Sequence, residues 1–264
     1  MAGSSENQRR RSAMFRSSNR IRFLVELQPV DTSWWLSELY DPFGLTPEDV
    51  GDRLSVSWAG DKRMEVTELN GELRRFAVSI SGEFGRGEAW LLDRTLDFQG
   101  AFVNADRMFI DPARQQEGLG RRFMADAAAL ARQIGLETIR LEADGIGKYA
   151  WLRCGFLPDR GSWMSMKPAV IQRIVEARDD LGPARFTEIL AAADSPDPLA
   201  ARELAALDDP VRSRYFYEAS AQTMQVSLGK AIFIEAASIW SGSLDLMDPI
   251  SLAILEDYVS RAEE

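Results

Sequence analysis

Apolar and polar residues alternate in several short runs between residues 20 and 110, which is the pattern of half-buried strands. The segment RIRFLVEL begins this pattern at Arg20, and Asn70-Gly71 is a hairpin turn signal between two of the runs. The predicted strands cover residues 20–27, 54–58, 63–69, 73–80, 89–92 and 102–110. The sequence therefore predicts an antiparallel meander.

Helix signals interrupt the meander near its beginning. The Asp, Thr and Ser side chains of residues 31–33 can cap a short helix that contains Trp34 and Trp35. Thr46 is a natural N-cap, and Pro47 after it has the φ angle that the first helical position needs. Two short helices are therefore expected before residue 54.

The period changes at Gly118. Apolar residues from Leu119 to Ile134 recur every three or four positions, which predicts one amphipathic helix, and Gly135 ends it. A strand at 138–143, a short helix at 148–154 closed by Gly155, and a last strand at 162–167 follow. Helices that alternate with strands around one mixed sheet indicate an α+β or α/β domain.

Strand signals nearly vanish after Pro168, and the remaining apolar residues have helical spacing. We expect three parts: a disordered Arg-rich tail at 1–19, a mixed-sheet domain at 20–167 and an all-helical C-terminal domain at 168–264. The apolar stripes of the helical part are typical of a core or a subunit contact. A homo-oligomer or a larger assembly formed through this part is compatible with them.

Composition removes several kinds of site. The chain has 264 residues with no His and one Cys, which excludes His-based triads, His-ligated metals, an internal disulfide and Cys-cluster zinc. No metal site is expected. The net charge of −10 argues against a chain that coats nucleic acid.

The N-terminal tail and the longest apolar run bear on where in the cell the protein is located. Arg9, Arg10 and Arg11 are interpreted as a solvated tail, with a nucleic-acid or membrane-surface arm as the alternative. The longest apolar run, AIFIEAASIW, is half a membrane span and contains Glu235. We therefore expect a soluble, cytoplasmic protein that does not bind membranes.

A strand that runs through a glycine-bearing loop into a helix is the most informative segment. Gly118 and Gly120 allow close approach of the backbone and leave amide groups at a helix N-terminus, where the helix dipole also favours an anion. The expected ligand is a phosphate or pyrophosphate. The alternative is a plain strand-to-helix turn that happens to contain glycine.

Two motifs resemble the GNAT superfamily, the Gcn5-related N-acetyltransferases. The segment 115–120, QQEGLG, matches the Q/R-x-x-G-x-G/A loop of that family, and IDP at 110–112 matches the residues that precede it. The segment 149–156, YAWLRCGF, resembles the second signature, a short helix closed by Gly-Phe. The resemblance covers about residues 20–167.

The resemblance implies an acyl-CoA-dependent N-acyltransferase, most simply one that transfers acetyl from acetyl-CoA to a primary amine. In this family the amine attacks the thioester directly, so no acyl-enzyme forms. The acceptor would be a small-molecule or peptide amine. The residues that the resemblance assigns to acyl-CoA binding are Met108, Phe109, Ile110, Gln115, Gln116, Glu117, Gly118, Leu119, Gly120, Arg121 and Trp151.

The candidate base is Asp106, which the family's spacing favours and which alternation places on one strand face with Met108. A carboxylate that pairs with Arg107 or Arg140, or that only faces water, is the alternative. Asn104 could instead orient a water molecule.

The second motif departs from the family at the position of the thiolate acid. Trp151 stands where the family often has a Tyr that protonates the departing thiolate, and an indole N–H is not an acid of useful pKa. Tyr149 is the neighbouring candidate, although residues two apart on a helix differ by roughly 200°.

Two further interpretations stay open. Cys154 is expected to be a small core residue, with a nucleophile as the alternative. The alternative function for the chain is a catalytically weak or inactive GNAT-like module that binds CoA or serves as a scaffold in a larger assembly, such as a phage or secretion-related particle.

Overall fold

The computed structural model describes residues 11–85, 87–115, 117–213 and 225–260. Contacts along the chain divide these residues into two compact units: the first extends to Ile139 and includes Val259 and Ser260, and the second is Arg140–Tyr258. The domain limits predicted from the sequence, at residues 19 and 167, differ from this division by contacts and stay predictions.

The described part of the Arg-rich tail begins at Arg11. Its guanidinium forms an ion pair with Asp41 at 2.5 Å and lies 5.8 Å from the centre of the Tyr40 ring. Residues 1–10, which contain Arg9 and Arg10, lie outside the described residues, so the predicted disorder of 1–19 stays a prediction.

The first unit contains a five-stranded mixed sheet. Its strands are β1 Ile21–Phe23, β2 Lys62–Asn70, β3 Arg75–Gly85, β4 Glu88–Asp97 and β5 Phe102–Ile110. β1 is parallel to β2, and each later strand is antiparallel to the one before it. The predicted mixed sheet is confirmed, and its meander follows the alternation in the sequence.

The helices of this unit are α1 Pro29–Trp35, α2 Asp41–Phe43, α3 Pro47–Arg53 and α4 Leu119–Gln133, and a π-helix covers Leu36–Tyr40. The predicted start of α3 is confirmed. The Thr46 hydroxyl accepts from the Asp49 amide, and the Asp49 carboxylate accepts from the Thr46 amide.

One face of the sheet forms the core under these helices. Trp35 packs edge-on against Phe76 at 4.7 Å between ring centres, and Trp90 lies 4.8 Å from Phe123 of α4. All four side chains are fully buried. The opposite face carries small and polar side chains that are only half-buried, Ala77, Ser79, Ser81, Asp93 and Thr95.

The predicted strand at 54–58 is wrong: residues 54–57 form turns after α3. In a strand, the backbone amides of this segment would donate to carbonyls of a neighbouring strand. Here the hydrogen-bond acceptor is the carboxylate of Asp126 in α4. Its carboxylate accepts from the Ser57 amide at 2.9 Å and from the Ser57 hydroxyl at 2.8 Å. The turn thereby holds the Trp58 ring against Trp90, 5.6 Å away between ring centres.

Asp126 gives the unit a pH dependence. Burial raises the pKa of its carboxyl, and the hydrogen bonds from Ser57 offset only part of that rise. A carboxyl whose pKa is raised by folding contributes stability that is present below its unfolded pKa and is lost as pH rises through the folded pKa. We expect the wild type to gain stability relative to Asp126→Asn as the pH falls from neutral.

Urea unfolding of the two proteins between pH 7 and about pH 4 measures this difference. Asp126→Asn keeps the size of the side chain and removes its titration, so all other carboxyls titrate equally in both proteins. A stability difference that does not vary with pH would contradict the assignment to Asp126.

The second unit is mostly helical. Its helices are α5 Gly147–Arg153, α6 Arg160–Glu176, α7 Arg178–Leu181, α8 Pro183–Ala193, α9 Leu199–Ala205, α10 Leu228–Lys230 and α11 Pro249–Ser260, with a π-helix at Ala231–Ala236. The helical C-terminal region predicted from the sequence is confirmed in these helices. α11 begins directly after Asp248, whose carboxylate accepts from the Ile250 and Ser251 amides.

The same region also contains strands that the sequence did not reveal. β8 Pro210–Arg212 pairs with β9 Gln225–Ser227, and β10 Trp240–Asp245 pairs antiparallel with β7 Leu157–Pro158. β10 alternates in burial, but Ser and Gly occupy its middle, which hides the alternation. Gly242 is required there, because a Cβ would lie 2.2 Å from the Leu157 carbonyl oxygen.

The predicted strand at 162–167 is wrong, since α6 runs unbroken from residue 160 to residue 176. Trp163, Met166, Val170 and Ile174 are its buried apolar residues, and their spacing of three and four is helical. Residues 162–167, SWMSMK, are too few to reveal this longer period by themselves. Pro168 interrupts one backbone hydrogen bond without ending the helix.

β6 Thr138–Ala143 and α5 agree with the prediction. Across the described residues, no helix combines the length and hydropathy needed to cross a membrane. No group of three or more acidic or Cys side chains in the described ranges is arranged to hold a metal ion.

Candidate functional site

The turn after β5 is held by its own backbone and by two side chains. The Asp111 amide donates to the Ala89 carbonyl at 3.0 Å, which extends the pairing with β4, and the Asp111 carboxylate accepts from the Ala113 amide at 2.9 Å. The Gln115 side chain donates back to the Ile110 carbonyl at 3.0 Å. Gln115 therefore fixes the turn and does not extend outward from it.

Gly118 places the start of α4. Its φ of 74° lies in the left-handed region, and the helix begins at the next residue. The Gly118 carbonyl accepts from the Arg122 amide at 3.2 Å. Within the described residues, the amides of Gly118, Leu119 and Gly120 have no hydrogen-bond partner.

The arrangement of these three amides suits an anion. A left-handed residue followed by right-handed ones turns successive N–H groups toward one point, and the helix dipole adds a positive partial charge there. The first turn of α4 contains no acidic residue, and Arg121 and Arg122 add positive charge. The predicted phosphate site thus has donors; Gln116, also assigned to it, lies outside the described residues.

Gly120 keeps the helix start close to β5. A Cβ at this position would lie 3.3 Å from the Met108 sulfur and 3.5 Å from Ile110 Cδ1. Met108 and Ile110 pair with Leu92 and Trp90 of β4 and share their face of the sheet. The structure therefore brings together the strand and loop residues predicted for the site, with Phe109 exposed on the opposite face.

A β-bulge in β5 changes the position of the candidate base. Thr95 pairs with Asn104 and Asp93 pairs with Arg107, so β5 has two residues, 105 and 106, opposite the single Arg94. The prediction that Asp106 shares a face with Met108 is wrong, because the extra residue interrupts the alternation. Asp106 instead lies with the polar side chains of the other face.

Asp106 is exposed and held by two neighbours. Its carboxylate accepts from the Thr95 hydroxyl at 2.8 Å and from the Asn104 side-chain amide. Arg107 does not pair with Asp106 but with Asp93, at 2.7 Å. The two residues predicted for proton transfer and water orientation are thus in direct contact.

Arg94 is the residue near this bulge that sequence reasoning missed. Its side chain is only 1% exposed, and Nη1 donates to the carbonyls of Asp93 at 2.8 Å and Arg107 at 2.9 Å. Its Nε and Nη2 have no partner among the described residues. Burial lowers the pKa of the Arg94 guanidinium to about 10, against the raising effect of Asp106 and Asp93.

A signal for Arg94 was present in the sequence. In LLDRTLD of β4, Arg stands at a position where alternation with Leu92 and Leu96 predicts a buried side chain. Charged residues are almost never fully buried without a partner, so an Arg at such a position indicates a functional or structural role.

The second signature lies in the second unit. Trp151 is half-buried, 6.0 Å from the Phe156 ring centre, and its indole nitrogen lies 2.8 Å from where a Gly147 Cβ would be. Tyr149 is half-buried on the same helix. Cys154 is fully buried, in line with the core interpretation of this residue.

No protein-family model matches the sequence, and no curated protein matches it. Among solved structures, nourseothricin acetyltransferase is 18% identical over 32% of this chain and 51% of its own, with a TM-score of 0.28. A Klebsiella pneumoniae protein described as an acyl-CoA N-acyltransferase is 31% identical over 32% of this chain and 56% of its own, with a TM-score of 0.24.

The chain thus spans about half the length of the structures that it matches. TM-scores of this size do not establish a common fold.

Proposed function

We propose that the protein is an acyl-CoA-dependent N-acyltransferase of the GNAT type. The observation that carries the proposal is the set of amides at Gly118, Leu119 and Gly120, which have no partner among the described residues and start a helix whose first turn is free of acids. Such an arrangement suits the pyrophosphate of CoA.

The strand beside this helix start would bind the pantetheine arm. Gly120 allows α4 to begin within contact distance of Met108 and Ile110, so an arm that leaves the phosphates would continue along Met108, Phe109 and Ile110. Backbone groups can pair with the amides of the arm as they would with another strand.

The reaction needs a positioned amine and a proton acceptor. The amine nitrogen would form a bond to the acyl carbon while the carbon–sulfur bond breaks and the thiolate leaves. The amine proton would pass through water to Asp106, with Asn104 orienting that water. Water would protonate the thiolate, because Trp151 is not a useful acid.

The acyl group is proposed to be acetyl in the simplest case, and the acceptor a primary amine of a small molecule or peptide. We expect acetyl-CoA to bind in titration calorimetry and free thiol to appear when a panel of primary amines is added. Absence of both binding and thiol release would contradict the proposed function.

A second candidate function is a GNAT-like scaffold or CoA-binding module without turnover. The observation that favours it is the Trp151 indole, which occupies the space beside Gly147 and leaves no acid at the position of the family's Tyr.

If the protein is an enzyme, Trp151→Tyr should raise the transfer rate, up to on the order of 100-fold if thiolate protonation is limiting, without changing CoA affinity.

Wild-type turnover would contradict the scaffold function directly. Binding of CoA without thiol release, in the wild type and in Trp151→Tyr alike, would support the scaffold function. The predicted cytoplasmic location and the roles assigned to the Arg-rich tail stay predictions.

A further inference from the structure

The first unit contains a buried cation with no counter-ion in contact. Arg94 is 1% exposed, and no ion pair within the described residues includes it. Burying a charge is unfavourable unless the charge is paired and hydrogen-bonded. The nearby carboxylates are committed elsewhere: Asp93 to Arg107, and Asp106 to Thr95 and Asn104.

The geometry of the guanidinium defines what could pair with it. Nη1 is fixed by the carbonyls of Asp93 and Arg107, which hold the group against the bulge of β5. The two nitrogen atoms without a partner, Nε and Nη2, form one edge of the guanidinium with parallel N–H bonds. That edge matches the two oxygens of a carboxylate, whereas a neutral carbonyl oxygen would leave the charge unbalanced.

Arg94 also lies at a suitable distance from the phosphate-binding amides. Ile110, beneath Gly120, pairs with Trp90, and Arg94 is four residues farther along β4, or about 13 Å. The pantetheine arm contains about as many chain bonds as four residues of extended backbone. An arm that starts at Gly120 and follows β5 would therefore bring its acyl group to the bulge.

We propose that Arg94 binds the distal carboxylate of the acyl group, so that the preferred donor is the CoA thioester of a dicarboxylic acid. This inference rests on the proposed function and narrows its donor from acyl-CoA in general to an acidic acyl-CoA. Arg94 is then a specificity-determining residue, because it would contact the transferred group and not the amine.

The test compares two thioesters of equal chain length, succinyl-CoA and butyryl-CoA, on the wild-type full chain. Both carry four acyl carbons, and only the first carries a carboxylate. We expect succinyl-CoA to bind at least about 100-fold more tightly by titration calorimetry and to be transferred with a correspondingly higher kcat/KM. This comparison needs no variant, so a folding defect cannot obscure it.

Arg94→Met and Arg94→Lys then separate the charge from the two-donor edge. Arg94→Met should remove the preference for succinyl-CoA, measured as the ratio of its affinity to that of butyryl-CoA in the same variant. Arg94→Lys keeps the charge but loses the parallel donors, so most of the preference should be lost as well.

Two outcomes would overturn the inference while leaving the proposed function intact. One is that butyryl-CoA or acetyl-CoA binds as well as succinyl-CoA. The other is that Arg94→Met weakens both four-carbon thioesters equally, which would make Arg94 a support for the bulge only. If no CoA thioester binds, the proposed function itself fails.

Discussion

Replacement of Gly120 by Asp is expected to weaken acetyl-CoA binding by about 100-fold or more, because a carboxylate would stand among the amides proposed to bind the pyrophosphate. The fold should tolerate the change. An acidic residue in the first turn of a helix is favourable for the helix dipole, and the new Cβ would meet mainly the flexible end of Met108, 3.3 Å away. Binding is measured by titration calorimetry and folding by thermal unfolding.

Gly120→Asn is the matched control for this prediction. Asn has the size of Asp without its charge, so any loss caused by crowding against Met108 and Ile110 appears equally in both variants. We expect Gly120→Asn to bind acetyl-CoA markedly better than Gly120→Asp. Equal affinities in the two variants would show that the start of α4 does not bind the phosphates.

Replacement of Arg173 by Met is expected to destabilise the second unit by roughly 3–5 kcal/mol, the usual cost of leaving one partner of a buried ion pair alone. Arg173 and Glu235 are each 3% exposed, with 3.0 Å between Nε and Oε2. Arg173 also donates to the Arg212 carbonyl at 2.7 Å, and Ser213 donates to Glu235 at 2.6 Å. Without the guanidinium, the buried Glu235 carboxylate would lose this ion-pair partner.

Urea unfolding measures this loss, and a double variant tests its cause. Arg173→Met with Glu235→Met removes both charges, so the double variant should recover most of the stability that the single variant loses. Arg185→Met is the exposed comparison: its bond to Asp209 lies at the surface, and its removal should have a much smaller effect. A single variant as stable as the wild type would contradict the role of the pair.

The sequence was most informative where one period persisted over a whole element. β3 alternates in burial over eight residues, and α4 holds its 3.6-residue period over four turns, so both were predicted. The start of α3 was predicted as well, because Thr46 and Pro47 act through purely local contacts. In each case the neighbours in sequence decide the structure.

Misinterpreted segments were short, and distant contacts decide their structure. Residues 54–57 turn because Asp126, far away in sequence, binds Ser57. Residues 162–167 are helical because their burial belongs to a longer period that continues to Ile174. β10 was missed because its pairing with Leu157 depends on the close approach at Gly242 and not on a pattern of large apolar side chains.

The candidate site shows the same division. The loop with Gly118 and Gly120 could be found from the sequence, because glycine marks the backbone conformation directly. The environment of Asp106 could not, since one unpaired residue in β5 decides which way its carboxylate lies. Alternation along β4 could have predicted that Arg94 is buried. That its Nε and Nη2 have no partner among the described residues could not be predicted, because this depends on where the neighbouring carboxylates lie in the structure.

The bulge of β5 also affects how this stretch of the gene can change in length. Loss of one codon at residue 105 or 106 would leave a single residue opposite Arg94 and restore regular pairing with β4. Val103 would stay paired with Leu96 and Met108 with Leu92, so both would keep their face of the sheet. Loss of a codon elsewhere in β5 would keep the bulge and invert the residues on one side of the deletion, so single-codon deletions should be tolerated at the bulge before any other position of this strand.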